Sequence, residues 1–160
     1  MKTVFFCLLI FLSAFCTAQN ITLPAPSGYV NDFENLFTPS QKDSLKTLLE
    51  NYEKQTTNEI VVVTIPADMI QNADINDYTL ELLRAWGVGK KIKNNGMLVG
   101  ICTSRKTIRI QNGYGIEKLL SDADTKKIIE ENMLPSFRIG KYFEGTYNGL
   151  LTIIKKIPAL

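Results

Sequence analysis

The residues of this chain that can do chemistry are acids, amides, glycines and a short basic run. The sequence holds no histidine. That removes Ser-His-Asp triads, Cys-His dyads and histidine-ligated zinc. Glu117, Asp122 and Asp124 follow closely on Asn112-Gly113-Tyr114-Gly115. Carboxylates joined by amide and backbone oxygens suit hard cations, so Ca2+ or Mg2+ is the ion such a group would take, calcium wanting six to eight oxygens at roughly 2.3–2.6 Å. Taken singly, Asp122 and Asp124 read as residues of a helix start, and Gly113 and Gly115 as a turn. Lys90, Lys91 and Lys93 form a basic run, ordinarily a solvated loop but able to receive a phosphate or a phospholipid head group. Arg109 offers a guanidinium that can orient an anion. Gly113-x-Gly115 lacks the third glycine and the ribose-binding acid of a dinucleotide fingerprint, and no serine stands in a nucleophile elbow.

The first residues read as an address. Lys2 is followed by an apolar run from Val4 to Phe15 and then by Cys16-Thr17-Ala18. The run is too short to cross a bilayer, which takes roughly 20 residues, and the small-x-small end suits a signal peptidase. Residues 1–18 are therefore expected to be a signal peptide cleaved after Ala18, with residues 19–29 a flexible leading segment. A lipid anchor on Cys16 is the alternative, disfavoured by bulky Phe15. Once Cys7 and Cys16 leave with the signal, Cys102 is alone, and no internal disulfide is expected. No later segment is long and apolar enough to tether the mature chain. The expected location is periplasmic or extracellular. A net charge of +2 over 160 residues argues against nucleic acid as a partner.

The elements alternate. Thr38-Pro39-Ser40-Gln41 is a capping box ahead of a stripe formed by Leu45, Leu48, Leu49 and Tyr52. Glu59 to Pro66 is a β-branched run that reads as a strand covered on both faces. A helix is expected from about Asn76 to Trp86, a buried strand from Gly96 to Thr103, and an alternating strand from Lys106 to Asn112. A helix from Ser121 to about Leu134 and a last one ending near Pro158 complete an α-β-α-β-β-α-α order. The β-α-β portion predicts parallel strands with a right-handed crossover, and the last two strands an antiparallel hairpin. The expected fold is α/β, a three-layer αβα sandwich around a small mixed sheet, Rossmann-like. This topology brings Thr57-Asn58-Glu59, Asn94-Asn95-Gly96 and Asn112 to Glu117 to one edge of the sheet, where convergent loops make binding sites.

Five stretches in order then resemble the TPM domain family of bacteria and thylakoid lumens: Val30-Asn31-Asp32-Phe33, Arg84-Ala85-Trp86-Gly87-Val88-Gly89, Asn95-Gly96-Met97-Leu98-Val99, Asn112-Gly113-Tyr114-Gly115-Ile116-Glu117, and Phe137-Arg138 through Gly140, Tyr142 and Gly145. The resemblance places the domain at residues 30–158 and implies an αβα sandwich outside the cytosol. Some plant members are described as acid phosphatases, and calcium near acidic loops is known among relatives. By that likeness metal ligation falls first on Asp32 and Asp122, then on Glu117 and Asp124; Asp32 rests on the resemblance alone. Many relatives carry Asp where this chain has Asn94, which takes one charge from the edge. Relatives often continue into a membrane helix and glycine-rich tail, which is not expected after Leu160.

Two functions are expected from these residues. One is an exported module that takes a divalent cation and acts through an envelope or membrane protein. The other is a metal-assisted acid phosphatase acting on phosphate monoesters, the cation polarising the phosphoryl group.

Overall fold

In the computed structural model, residues 23–159 are described. The expected signal peptide and the start of the leading segment lie outside them. Four strands, β1 (Val30–Asp32), β2 (Glu59–Thr64), β3 (Gly96–Cys102) and β4 (Thr107–Asn112), form one sheet in the order β1-β2-β3-β4. β1, β2 and β3 are parallel and β4 is antiparallel to β3, with Glu59 opposite Gly96 and Met97 opposite Asn112. The parallel pair and the hairpin are those expected. β1 is an addition: the prolines before it mask a short strand that pairs along β2.

Helix α1 (Pro39–Thr56) starts on the Thr38/Gln41 capping box and ends at Thr57 in the left-handed conformation. Its Leu45, Leu49 and Tyr52 pack with Ile60 and Val62 of β2 and with Met97, Val99 and Ile101 of β3. Helix α2 (Ala67–Ile70) and helix α3 (Ile75–Ala85) cover the opposite face, where Ile70, Tyr78 and Leu82 meet Val63, Leu98 and Cys102. The strands alternate sides at every residue, so one apolar run serves two cores, as its β-branched continuity predicted. Among the described residues no helix is long and apolar enough to cross a membrane.

The crossover β1-α1-β2 passes over one face and β2-α2-α3-β3 over the other, while the strands advance in one direction. Two such crossovers on opposite faces have opposite hands, so the right-handed rule governs only one of them. The three layers stand as expected, but the crossovers do not share a face as they do within a Rossmann half.

After β4 the chain makes α4 (Tyr114–Glu117) and α5 (Asp122–Ile128), a π-helical turn (Ile129–Met133), and α6 (Leu134–Phe137). The expected single helix carries a π-helical turn for a physical reason. Pro135 has no N–H, and its ring crowds the carbonyl four residues back. The ladder widens instead, and Leu134 N–H bonds Ile129 O. Helix α7 (Tyr142–Lys156) lies against this turn. A β-carbon on Gly145 would stand 2.5 Å from the Phe137 ring and 2.7 Å from Met133 O.

The leading segment is tied from its first described residue. Leu23 packs on the α3-side core and Trp86 Nε1 donates to Pro24 O at 2.7 Å. Leu23 and Pro24 both belong to the leading segment, 19–29, of which residues 19–22 lie outside the described residues.

Candidate functional site

The loops expected to meet at one sheet edge do meet there. Gly113 N–H donates to Gly96 O at 2.8 Å, Gly115 N–H to Asn94 O at 2.9 Å, and Glu59 N–H to Asn95 O at 3.1 Å. The two backbones come so close that a β-carbon on Gly113 would collide with the Asn94 carbonyl, which is why glycine stands there. Asn95 is fully buried and joins three segments. Its Nδ2 donates to Thr57 O at 2.8 Å and to Asn58 Oδ1 at 3.2 Å, while its Oδ1 accepts from Lys90 N–H at 2.8 Å. Asn58 Nδ2 in turn reaches Pro158 O at 2.9 Å, fixing the end of the described chain to the same edge. Satisfied buried amides of this kind are rigid.

On the α3 side of that edge lies a cleft of about 600 Å³, lined among others by Arg84, Lys90, Lys91, Arg109, Tyr114 and Glu117. Gln111, on the same strand face as Arg109, is held by bonds from its Nε2 to Asn76 O at 2.8 Å and Thr79 Oγ1 at 3.0 Å. Lys90 Nζ is paired with Glu53 at 2.6 Å, and Arg84 with Glu81 at 3.3 Å on the exposed surface. Lys91 and Arg109 have no ion-pair partner among the described residues. Among the described residues, Lys91 and Arg109 thus bring to the cleft positive charge that no ion pair compensates.

Its rim holds a contact that sequence reasoning missed. Glu53 accepts from the Tyr29 hydroxyl and from Lys90 Nζ, both at 2.6 Å, and so joins the approach to β1, helix α1 and the basic loop. Burial pushes the Glu53 carboxyl up, but the bonds from Lys90 and Tyr29 outweigh it and hold it below its ordinary value. The bond to Glu53 raises the Lys90 ammonium, and, with burial, the Tyr29 phenol to about 12. The signal was Glu53's place beside the apolar stripe of α1; its partners, far apart in sequence, left none.

The four carboxylates expected to ligate a cation do not converge. Glu117 is in α4 and lines the cleft. Asp122 and Asp124 are in the first turn of α5. Asp124 accepts from the Ser121 hydroxyl at 2.7 Å and from Lys156 Nζ at 3.2 Å, and these two partners hold its carboxyl below the usual range. Asp32 pairs with Thr64 at the far end of β2. The six residues of β2, at roughly 3.3 Å each, separate it from the others, so one ion cannot touch all four. Both Asp32 oxygens are engaged by the N–H groups of Leu36 at 2.9 Å and Phe37 at 3.0 Å and by the Thr64 hydroxyl at 2.7 Å. Among the described residues no three His, Cys, Asp or Glu side chains form a group able to hold a metal ion.

Residues 30–156 match the TPM domain family. The chain belongs to that family. Its structure is similar to the N-terminal domain of a Porphyromonas gingivalis protein, solved by solution NMR, at 35% identity and a TM-score of 0.73, covering 79% of this chain and 80% of that one. It is also similar to the N-terminal domain of a Corynebacterium glutamicum protein at 14% identity and a TM-score of 0.62, covering 84% and 85%. A third similar structure is BA42 from Bizionia argentinensis, at 19% identity and a TM-score of 0.61, covering 80% and 93%. The last two likenesses concern the TPM fold alone. No curated protein matches the chain.

Proposed function

We propose that this TPM domain is an exported interaction module whose cleft, at the N-terminal ends of β2 and β3, takes an anionic group, a phosphate or carboxylate carried by its partner. The observation that carries this reading is the pair Lys91 and Arg109, two cations without ion-pair partners among the described residues, lining one cleft above a rigid floor. Such an arrangement attracts anions and repels cations. Export is supported by the apolar run from Val4 to Phe15 and the small residues ending at Ala18.

A resident Ca2+ or Mg2+ fits this donor set poorly. Among the described residues Glu117 is the one carboxylate lining the cleft, which four basic residues also line, whereas calcium wants six to eight oxygens. The phosphatase reading keeps one observation in its favour: a phosphate drawn to Arg109 would lie in a cleft that Glu117 also lines.

The test is a titration of the protein with inorganic phosphate and with phenyl phosphate, following the amide resonances of Asn95, Arg109 and Gly115, with and without Mg2+ or Ca2+. Saturable shifts that weaken about tenfold or more in Lys91→Gln/Arg109→Gln support the module. Shifts produced by Ca2+ or Mg2+ alone, at the same residues and unchanged in that variant, overturn the anion reading. Release of phenol, abolished in Glu117→Gln, promotes the enzyme.

A further inference from the structure

At the other end of the sheet, a second cavity opens where the α7 layer stops short of β4. It measures about 340 Å³, within the ~300–1,000 Å³ typical of ligand pockets. Ile101 and Ile108 line it from the sheet, and Leu134, Phe137 and Tyr142 from the helical layer. On this wall α6 follows directly on the π turn and ends at Phe137, with Arg138 as its cap. Gly140, at φ +75°, then turns the chain back into α7, with Lys141 N–H bonded to Ser136 O at 3.0 Å. The Phe137 and Tyr142 rings meet edge to face with centroids 5.1 Å apart, which keeps this wall in place.

Two cations, Lys106 and Arg138, line the same cavity, and among the described residues no carboxylate does. Both are exposed, and neither has an ion-pair partner among the described residues. The β3–β4 turn is anchored from behind, because the Arg105 guanidinium donates to the carbonyls of Ala67, Gln71 and Ala73. Glu34, which reaches the cavity-lining Thr103, is engaged by the Thr103 N–H and, at 2.8 Å, the Thr103 hydroxyl. The Tyr142 hydroxyl makes no hydrogen bond among the described residues and is a further donor.

We infer that this cavity binds a small amphipathic acid, a carboxylate on a compact apolar body. The apolar part would displace water from the isoleucine, leucine and aromatic walls, where burial is favourable. The carboxylate would meet the planar fork of Arg138, which suits it bidentately, with Lys106 as a second charge. A bare inorganic anion leaves the apolar walls wet, and a neutral hydrocarbon leaves both cations unpaired, so the two halves of the ligand are demanded together. This site is separate from the cleft of the preceding section and does not depend on it.

The experiment uses phenylacetate and octanoate as probes, with phenylacetamide as the uncharged control, against the full isotopically labelled chain. Saturable shifts at Thr103, Ile108, Arg138 and Gly140 are expected, with phenylacetamide binding at least tenfold more weakly. Lys106→Gln/Arg138→Gln changes only exposed side chains, so its spectrum should keep the parent dispersion while phenylacetate affinity falls tenfold or more. Equal affinity in that variant, equal binding of phenylacetamide, no saturable shift at millimolar probe, or shifts confined to Lys91, Arg109 and Gly115 would each overturn the inference. Narrowing the cavity with Ile108→Phe should abolish octanoate binding; retained binding counts against it.

Discussion

Asp32 shares its strand end with Thr64, and its two oxygens collect two hydrogen bonds from the turn that follows β1 and a third from the Thr64 hydroxyl of β2. A carboxylate used this way closes a loop, and removing it leaves donors unpaired. Asp32→Ala should lower stability by about 1–3 kcal/mol, read from the urea midpoint, while cation- or phosphate-induced shifts at Asn95 and Gly115 stay as in the parent. A loss of those shifts without a loss of stability would return Asp32 to the ligand set. Tyr29 gives a second prediction at this scale. Its phenol rises from 10.0 to about 12, chiefly through the bond to Glu53. A raised phenol pKa means that the contribution to stability is complete below pH 10 and is lost as the pH climbs through about 12. Absorbance titration of the phenolates should show Tyr29 ionising late, and Tyr29→Phe should remove one late-titrating group. Ionisation of that tyrosine near pH 10 would show that the contact to Glu53 does not persist in solution.

The elements are where local sequence and packing disagree. The sequence places Pro135 beyond the helix; instead the helix passes through it by widening one turn, and α7 settles on the widened turn through Gly145 and Gly149. A β-carbon on Gly149 would stand 2.5 Å from Met133 Cγ, a flexible side chain, whereas on Gly145 it meets Met133 O, which is backbone. Gly145→Ala should therefore cost about 1–3 kcal/mol and Gly149→Ala less, compared by thermal unfolding. The reverse order would mean that α7 can slide on the turn. Strand β1 makes the complementary point. Its three residues have no periodicity long enough to read, and only the neighbouring β2 edge makes them a strand.

Across the whole molecule, a single sheet separates two apolar layers, and β2 and β3 contribute side chains to both. Neither layer can dissolve without exposing the strands the other needs, so unfolding should be one transition. Leu49→Ala on the α1 side and Leu82→Ala on the α3 side should each cost about 2–5 kcal/mol. Each should lower the far-ultraviolet and aromatic circular dichroism midpoints by the same amount. Two separated transitions in either variant would show independent layers. Cys102 reports the same event from inside: it is fully buried on the α3 side, so a thiol reagent should modify it only at the rate of opening.

The residues by themselves determined the main elements, the mixed sheet and the meeting of the Asn94, Asn112 and Thr57 loops, because β-branched runs, a capping box and parallel-strand topology act locally or through simple connectivity. They determined also what chemistry is absent, since a chain without histidine has no imidazole wherever it folds. Tertiary structure alone decided which charges face each other. Asp32 and Glu117 are alike as carboxylates, yet β1 and β4 run in opposite directions and leave them at opposite ends of the sheet. Lys90 and Lys91 are neighbours in sequence, yet only Lys90 meets Glu53. Charge acts through space over a few ångströms, and the distance between side chains on different elements is set by packing, which no periodicity records.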